Sequence, residues 1–159
     1  MEKIFIVCID DQREVLNALM EDLAIFEKHF ELEECESAGE ALDVIESIDQ
    51  EGDFLGVVIS DHVMPGMTGV ELLAAISSDG RFPLTRKVLL TGLATHKDTI
   101  EAINSADLDR YIEKPWNKED LIKMVKTLVT QYILKKGIDY EKYLELLDNE
   151  TLYSELRKG

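Results

Sequence analysis

Phe54-Leu55-Gly56-Val57-Val58-Ile59-Ser60-Asp61-His62-Val63-Met64-Pro65-Gly66-Met67-Thr68-Gly69 is the stretch on which the fold turns. Phe54 to Ser60 reads as a strand, and the apolar run Val57 to Ile59 shows no alternation, as expected of a strand covered on both faces. The run ends on a carboxylate, Asp61. Pro65-Gly66 then favours a tight turn, because proline presets φ and glycine tolerates positive φ. Thr68 stands where a helix cap belongs, and Glu71 three residues on completes a capping box. Val70, Leu72, Leu73 and Ile76 supply an apolar helical stripe. A strand, a polar loop and a capped helix in that order form one unit of an α/β protein.

The same unit recurs on either side. Ile4 to Ile9, Lys87 to Thr91 and Leu108 to Ile112 are further buried-strand candidates, and Glu31 to Ser37, with Leu32 and Cys35 among carboxylates, suits a sheet edge. Val15, Leu16, Leu19, Leu23 and Phe26 recur at helical spacing, leaving Glu14, Glu21, Asp22 and Glu27 for solvent. Ala41, Leu42, Ile45 and Ile48 mark a second helix, Ile100, Ala102 and Ile103 a shorter fourth one, and Leu121, Ile122, Val125, Leu128, Val129 and Tyr132 a fifth. Strict alternation predicts a doubly wound five-stranded parallel sheet over residues 1–134. Lys135-Lys136-Gly137 is a helix stop with cations near the carbonyl end. Residues 135–159 read as a helical C-terminal extension or linker, with Ile138, Tyr140, Tyr143, Leu144 and Leu147 at helical spacing and a break expected at Asp148-Asn149.

Composition narrows the function classes. The 159 residues are 45% hydrophobic, enough for a core, with 33 acidic against 17 basic residues and a formal net charge of −16. A nucleic-acid backbone or an anionic membrane surface would be repelled, since the basic residues do not cluster. No apolar run approaches the ~20 residues that span a bilayer, and the start lacks a signal-peptide cleavage pattern. Cys8 and Cys35 lack metal-site spacing and read as free buried thiols in a reducing cytoplasm.

Open α/β sheets place their sites at the carboxyl ends of strands. Those positions hold Asp10-Asp11, Asp61, Thr91 and Lys114. Three carboxylates at neighbouring strand ends raise one another's pKa values unless a cation sits among them. An all-oxygen set with room for water suits Mg²⁺. One acid as nucleophile, a metal, a hydroxyl and an ammonium together describe phosphoryl transfer onto a carboxylate.

Taken in order, Asp10-Asp11, Ser60 to Gly69, Thr91-Gly92 and Lys114-Pro115 resemble the receiver domain of two-component response regulators, a flavodoxin-like fold, over about the first 134 residues. The resemblance implies roles. Asp61 would be the phosphoacceptor. Asp11 would bind Mg²⁺ directly, Asp10 mainly through water, and the Val63 backbone carbonyl would complete the protein ligands. Thr91 and Lys114 would hold the phosphoryl oxygens, the Lys114–Pro115 peptide is commonly cis in that family, and Tyr111 matches its switch aromatic. A surface containing His96, Thr99, Ile103, Tyr111 and Trp116 would change state on phosphorylation. Val63 and Leu93 occupy positions that influence hydrolysis there; both are apolar, so a long-lived aspartyl phosphate is expected.

The implied partners are a histidine kinase or phosphotransfer protein and an unknown output protein or domain, with homodimerisation through the extension as one option. Ile112 to Asn117 is similar to receivers joined to cyclic-dinucleotide outputs, so a fragment of a longer regulator is the main alternative. A phosphorylation-independent module would lose the acid cluster or the lysine, and neither is lost. A nucleotide-binding enzyme would need glycines after the first strand, where Asp10-Asp11-Gln12-Arg13-Glu14 stands.

Overall fold

In the computed structural model, which describes residues 2–92, 97, 100, 101, 104 and 107–158, five strands form one parallel sheet. They are β1 (Ile4–Ile9), β2 (Glu31–Cys35), β3 (Phe54–Asp61), β4 (Arg86–Thr91) and β5 (Arg110–Glu113), in the order β2-β1-β3-β4-β5. The helices are α1 (Arg13–Asp22), α2 (Ala38–Gln50), α3 (Gly69–Ser77), α4 (Lys118–Lys136) and α5 (Asn149–Lys158). Residues 97, 100, 101 and 104, in the expected fourth helical stretch, are helical and exposed. Leu93, His96, Thr99, Ala102 and Ile103 lie outside the described residues.

Alternate strand residues feed two core layers, as a period of two requires. Ile4, Ile6, Cys8, Val57, Ile59, Val88, Leu90 and Ile112 pack with α1 and α4. Val7, Ile9, Leu55, Val58 and Leu89 pack with α2 and α3. Cys8 and Cys35 are buried and free in different layers, which accounts for the absence of a disulfide between them. The β1–β3 register slips between Phe5 and Ile6. Gly56 sits beside that slip, where an added Cβ would lie 2.7 Å from Ile4 Cγ2 and 3.3 Å from the Phe5 carbonyl oxygen.

Helix ends follow their capping residues. Ser37 Oγ accepts from the Glu40 N–H at 3.1 Å, which is why β2 stops at Cys35 and not at Ser37. Thr68 and Glu71 form the expected capping box. α4 stops at Gly137 in the left-handed conformation, φ 80°, after Lys135 and Lys136. β5 begins at Arg110, later than expected, because Asp109 is engaged in anchoring: its carboxylate accepts from the Lys87 N–H at 2.7 Å and pairs with Arg86 at 3.1 Å. Leu23 and Phe26, expected on the first helix, lie at its end cap and in the 3-10 turn that follows over Ala24–Lys28, yet both are fully buried.

The C-terminal extension folds back on the same core. A 3-10 turn over Glu141–Leu146 places Tyr143, Leu146 and Leu147 in the layer that contains Phe26, Phe30 and Tyr132. The Phe30 and Tyr143 rings stack at 5.2 Å, and Glu145 pairs with Lys28 and His29. The Asp148 N–H donates to Thr130 Oγ1 at 2.9 Å, and its carboxylate accepts from the Thr151 N–H, opening α5.

Candidate functional site

The strand order reverses between β1 and β3, and their carboxyl ends carry the acids. Asp10 is fully buried. Its N–H donates to the Cys35 carbonyl at 3.1 Å, and its Oδ1 accepts from the Gln12 N–H at 2.9 Å, so it also orders the first turn of α1, which has no side-chain cap of its own. Asp11 is exposed, and Asp61, ending β3, is 6% exposed. Each of the three offers an oxygen within 4.8 Å of the others.

Lys114 follows β5 and reaches back over the pocket. Its Nζ lies 2.8 Å from Asp61 Oδ1 and 3.0 Å from Asp10 Oδ2. Its own N–H donates to the Thr91 carbonyl at 2.9 Å, which ties the lysine to the end of β4. Thr91 is buried on the same rim. The Lys114–Pro115 peptide is cis.

Two of the three carboxylates, Asp10 and Asp61, share one ammonium here. Burial pushes Asp61 above its ordinary value and Asp10 adds to the rise, against the Lys114 hydrogen bond and charge and the His62 N–H. Burial works against the Lys114 ammonium, but its bonds to Asp61 and Asp10 outweigh it and hold it above the usual lysine value. The pocket is therefore short of positive charge, and its all-oxygen donor set fits a hard divalent ion.

The remaining predicted residues surround this centre. Val63 is 66% exposed and Tyr111, on β5, is 48% exposed. Trp116 is half-buried, and its Nε1 donates to Asp22 Oδ2 at 2.9 Å, which fastens the segment after Pro115 to the end of α1. His62 packs beside Asp61, with Nδ1 buried and without a hydrogen-bond partner among the described residues.

Two supports were not anticipated from sequence. Ser60 Oγ donates to the Asp61 carbonyl at 3.0 Å. Gly69 presses against the backbone of Asp61: an added Cβ would overlap the Asp61 carbonyl oxygen and lie 2.8 Å from its carbon, while the Gly69 N–H donates to the His62 carbonyl at 2.9 Å. The available signal was a glycine at the first position of a helix, where a side chain is ordinarily tolerated.

Comparison with known proteins agrees with this geometry. The family model described as response regulator receiver domain matches residues 6–126. The chain is 35% identical over 75 residues to the hydrogenase transcriptional regulatory protein HoxA of Cupriavidus necator, covering 47% of this chain and 15% of that one. It is 28% identical over 126 residues to the chemotaxis protein CheY of Pseudomonas aeruginosa, covering 77% of this chain and 94% of that one. A solved signal receiver domain of an HD domain-containing protein from Pseudomonas fluorescens Pf-5 superimposes with a TM-score of 0.71 at 28% identity, covering 82% of this chain and 98% of that one. The chain spans only 15% and 17% of the two HoxA regulators it matches.

Proposed function

The chain belongs to the response regulator receiver domain family, and on that premise we propose that Asp61 is its phosphoacceptor, with Thr91 and Lys114 as the groups that hold the phosphoryl oxygens. The observation that carries the proposal is the Lys114 ammonium bridging Asp61 and Asp10 in a buried pocket of three carboxylates. Asp61 presents a carboxylate to a donor's phosphohistidine. The donor's P–N bond breaks with its electron pair left on nitrogen, and a P–O bond forms to Asp61.

Lys114 then turns from the carboxylate to the phosphoryl oxygens, and the Thr91 hydroxyl donates to another of them. Asp11, Asp61 and the Val63 carbonyl would hold Mg²⁺ directly and Asp10 mainly through water, and the bound ion would supply positive charge against the incoming phosphoryl group. Because Lys114 is bonded to the Thr91 carbonyl, rearrangement at either one reaches β5, biasing the face that carries Tyr111 and Trp116 between two states. The chain is a signalling phosphoacceptor that assists its own phosphorylation and dephosphorylation and turns over no separate substrate.

The donor is a histidine kinase or phosphotransfer protein, and the setting is the cytoplasm; among the described residues no helix is long and apolar enough to cross a membrane. Residues 1–134 form the receiver, and residues 135–159 an extension supported by Tyr143 and Leu146 on the receiver core. Membership of a longer regulator is the second reading, favoured by the small share of the HoxA proteins that the chain spans.

Acetyl phosphate with Mg²⁺, followed by intact mass measurement, tests the central claim. Wild type gains a phosphoryl-sized adduct and Asp61→Asn does not. An adduct on neither protein, or on both, overturns it.

A further inference from the structure

Away from the carboxylate pocket, a groove of about 350 Å³ runs between the edge strand β2 and α2. Its floor is apolar, formed by Phe5, Val44 and Ile48. β1 is a central strand covered on both faces, and Ile4, Ile6, Val7, Cys8 and Ile9 are at most 1% exposed, yet the aromatic Phe5 is only partly buried. Phe5 packs in part against the layer under α2 and leaves the rest of its apolar surface facing the groove.

The rim is acidic in a particular way. Residues 31–53 carry ten carboxylates and no lysine or arginine. Arg13 pairs with Glu34 and Glu36, and Arg81 with Glu46 and Asp49. Those four lie outside the groove. The carboxylates that line it are Glu33, Glu40, Asp43, Glu51 and Asp53. Among the described residues none of them has a lysine or arginine ion pair; Glu40 and Asp53 accept backbone N–H groups from Glu36 and Lys3.

Spacing decides what such a rim attracts. Among the described residues the group of three acids close enough to hold one metal ion is Asp10, Asp11 and Asp61, and no three of the groove acids converge in that way. Their field suits a cation distributed along a chain. A second copy of this protein in an isologous contact would bring the same acids to face one another, and anionic polymers or membranes are repelled outright.

We propose that the β2–α2 groove docks a basic segment of a protein partner, with Lys or Arg side chains facing Glu33, Asp43 and Glu51 around one apolar side chain seated on Phe5 and Val44. Charge complementarity steers the encounter and the apolar seat fixes the register.

The test is a chemical-shift titration of the isotopically labelled full chain with a short peptide of Lys and Arg around one central Leu. Saturable shifts are expected at the amides of Phe5, Glu33 and Val44, weakening steeply with salt. The triple variant E33Q/D43N/E51Q, its spectrum unchanged away from the groove, binds at least about tenfold more weakly. Exchanging the central Leu for Ser also costs about tenfold. Shifts confined to the Asp10–Asp61 pocket, no saturable shift in the groove, undiminished binding by the triple variant, or indifference to the central Leu would each overturn the proposal.

Discussion

Replacing Asp61 by asparagine separates the electrostatic state of the pocket from its chemistry. Asp61 Oδ1 attracts Lys114 Nζ across 2.8 Å, while Asp10 and Asp11 present oxygens within 4.8 Å. At an effective dielectric of about 20 the attraction amounts to ~6 kcal/mol and each repulsion to ~3 kcal/mol. The two repulsions thus offset the one attraction, and burial decides the balance against the charged form. Asparagine keeps the shape and leaves a carbonyl for Lys114. In a chelating buffer at neutral pH the Asp61→Asn variant is therefore more stable than wild type, by about 0.5–2 kcal/mol, the usual scale for relieving an unfavourable functional-site charge.

The pH dependence has a definite sign. Burial above all raises Asp61 in the folded chain above its ordinary 3.8, so the native state binds the extra proton in that window. Stability from this group is present at low pH and is lost as pH rises through the folded value. The variant's advantage is accordingly absent below the ordinary carboxylate pKa and grows toward neutrality. Mg²⁺ is expected to work against that advantage: at a hundredfold excess over Kd linkage would stabilise wild type by ~2.7 kcal/mol, and the variant, lacking one ligand, would gain less. Urea denaturation followed by circular dichroism and by the fluorescence of Trp116 measures both effects. A wild type more stable than the variant in chelator at neutral pH would refute the reasoning, as would an equal gain from Mg²⁺.

Gly69→Ala forces a Cβ into the Asp61 carbonyl and is expected to lose roughly 2–4 kcal/mol with slower phosphorylation; Gly39→Ala, whose Cβ meets nothing nearer than Ser37 Oγ at 3.9 Å, gains about 0.5–1 kcal/mol, and chemical denaturation of the pair checks the contrast. Val63→Asn, at an exposed position, leaves stability within about 0.5 kcal/mol but shortens the lifetime of the aspartyl phosphate; an unchanged half-life by phosphate release counts against the role of Val63. Tyr143→Ala removes a ring stacked on Phe30 in the shared core and costs about 3 kcal/mol, measured as a lower urea midpoint of the whole chain; a midpoint within error of wild type would show that the extension is not part of the cooperative unit.

The parts of the fold legible in the sequence were those fixed by local pattern. The unalternating run Val57 to Ile59 requires cover on both faces, and Thr68 with Glu71 caps α3 as its spacing demands. The strand-end polar residues Asp10, Asp61, Thr91 and Lys114 share one rim because a parallel sheet puts all carboxyl ends on one side. What escaped reading depends on contacts between distant segments. Gly69 matters only because α3 starts against the Asp61 backbone. His29 and Glu145 find each other across 116 residues, and Trp116 bonds to Asp22 from the far side of the chain; no local pattern encodes either. Boundaries shifted where a side chain took a second task, as Ser37 did in capping α2 and Asp109 did in anchoring β4.

The large negative charge, read from composition as a single property, includes in the structure three populations with different physical needs. Glu34 and Glu36 share Arg13, and Glu46, Asp49 and Asp79 share Arg81, on the surface, where such pairs contribute little and salt screens them. Asp10, Asp11 and Asp61 converge with one ammonium between them, so their deficit is local, poorly screened, and met only by a compact ion of high charge. Glu33, Asp43 and Glu51 are spread along an apolar groove, so their deficit is met by a distributed cation and fades at high salt. Ionic strength and Mg²⁺ should therefore act on different sites of the same molecule: raising monovalent salt empties the groove while leaving the pocket's preference for a dication intact, and Mg²⁺ at low concentration fills the pocket without displacing a basic segment from the groove.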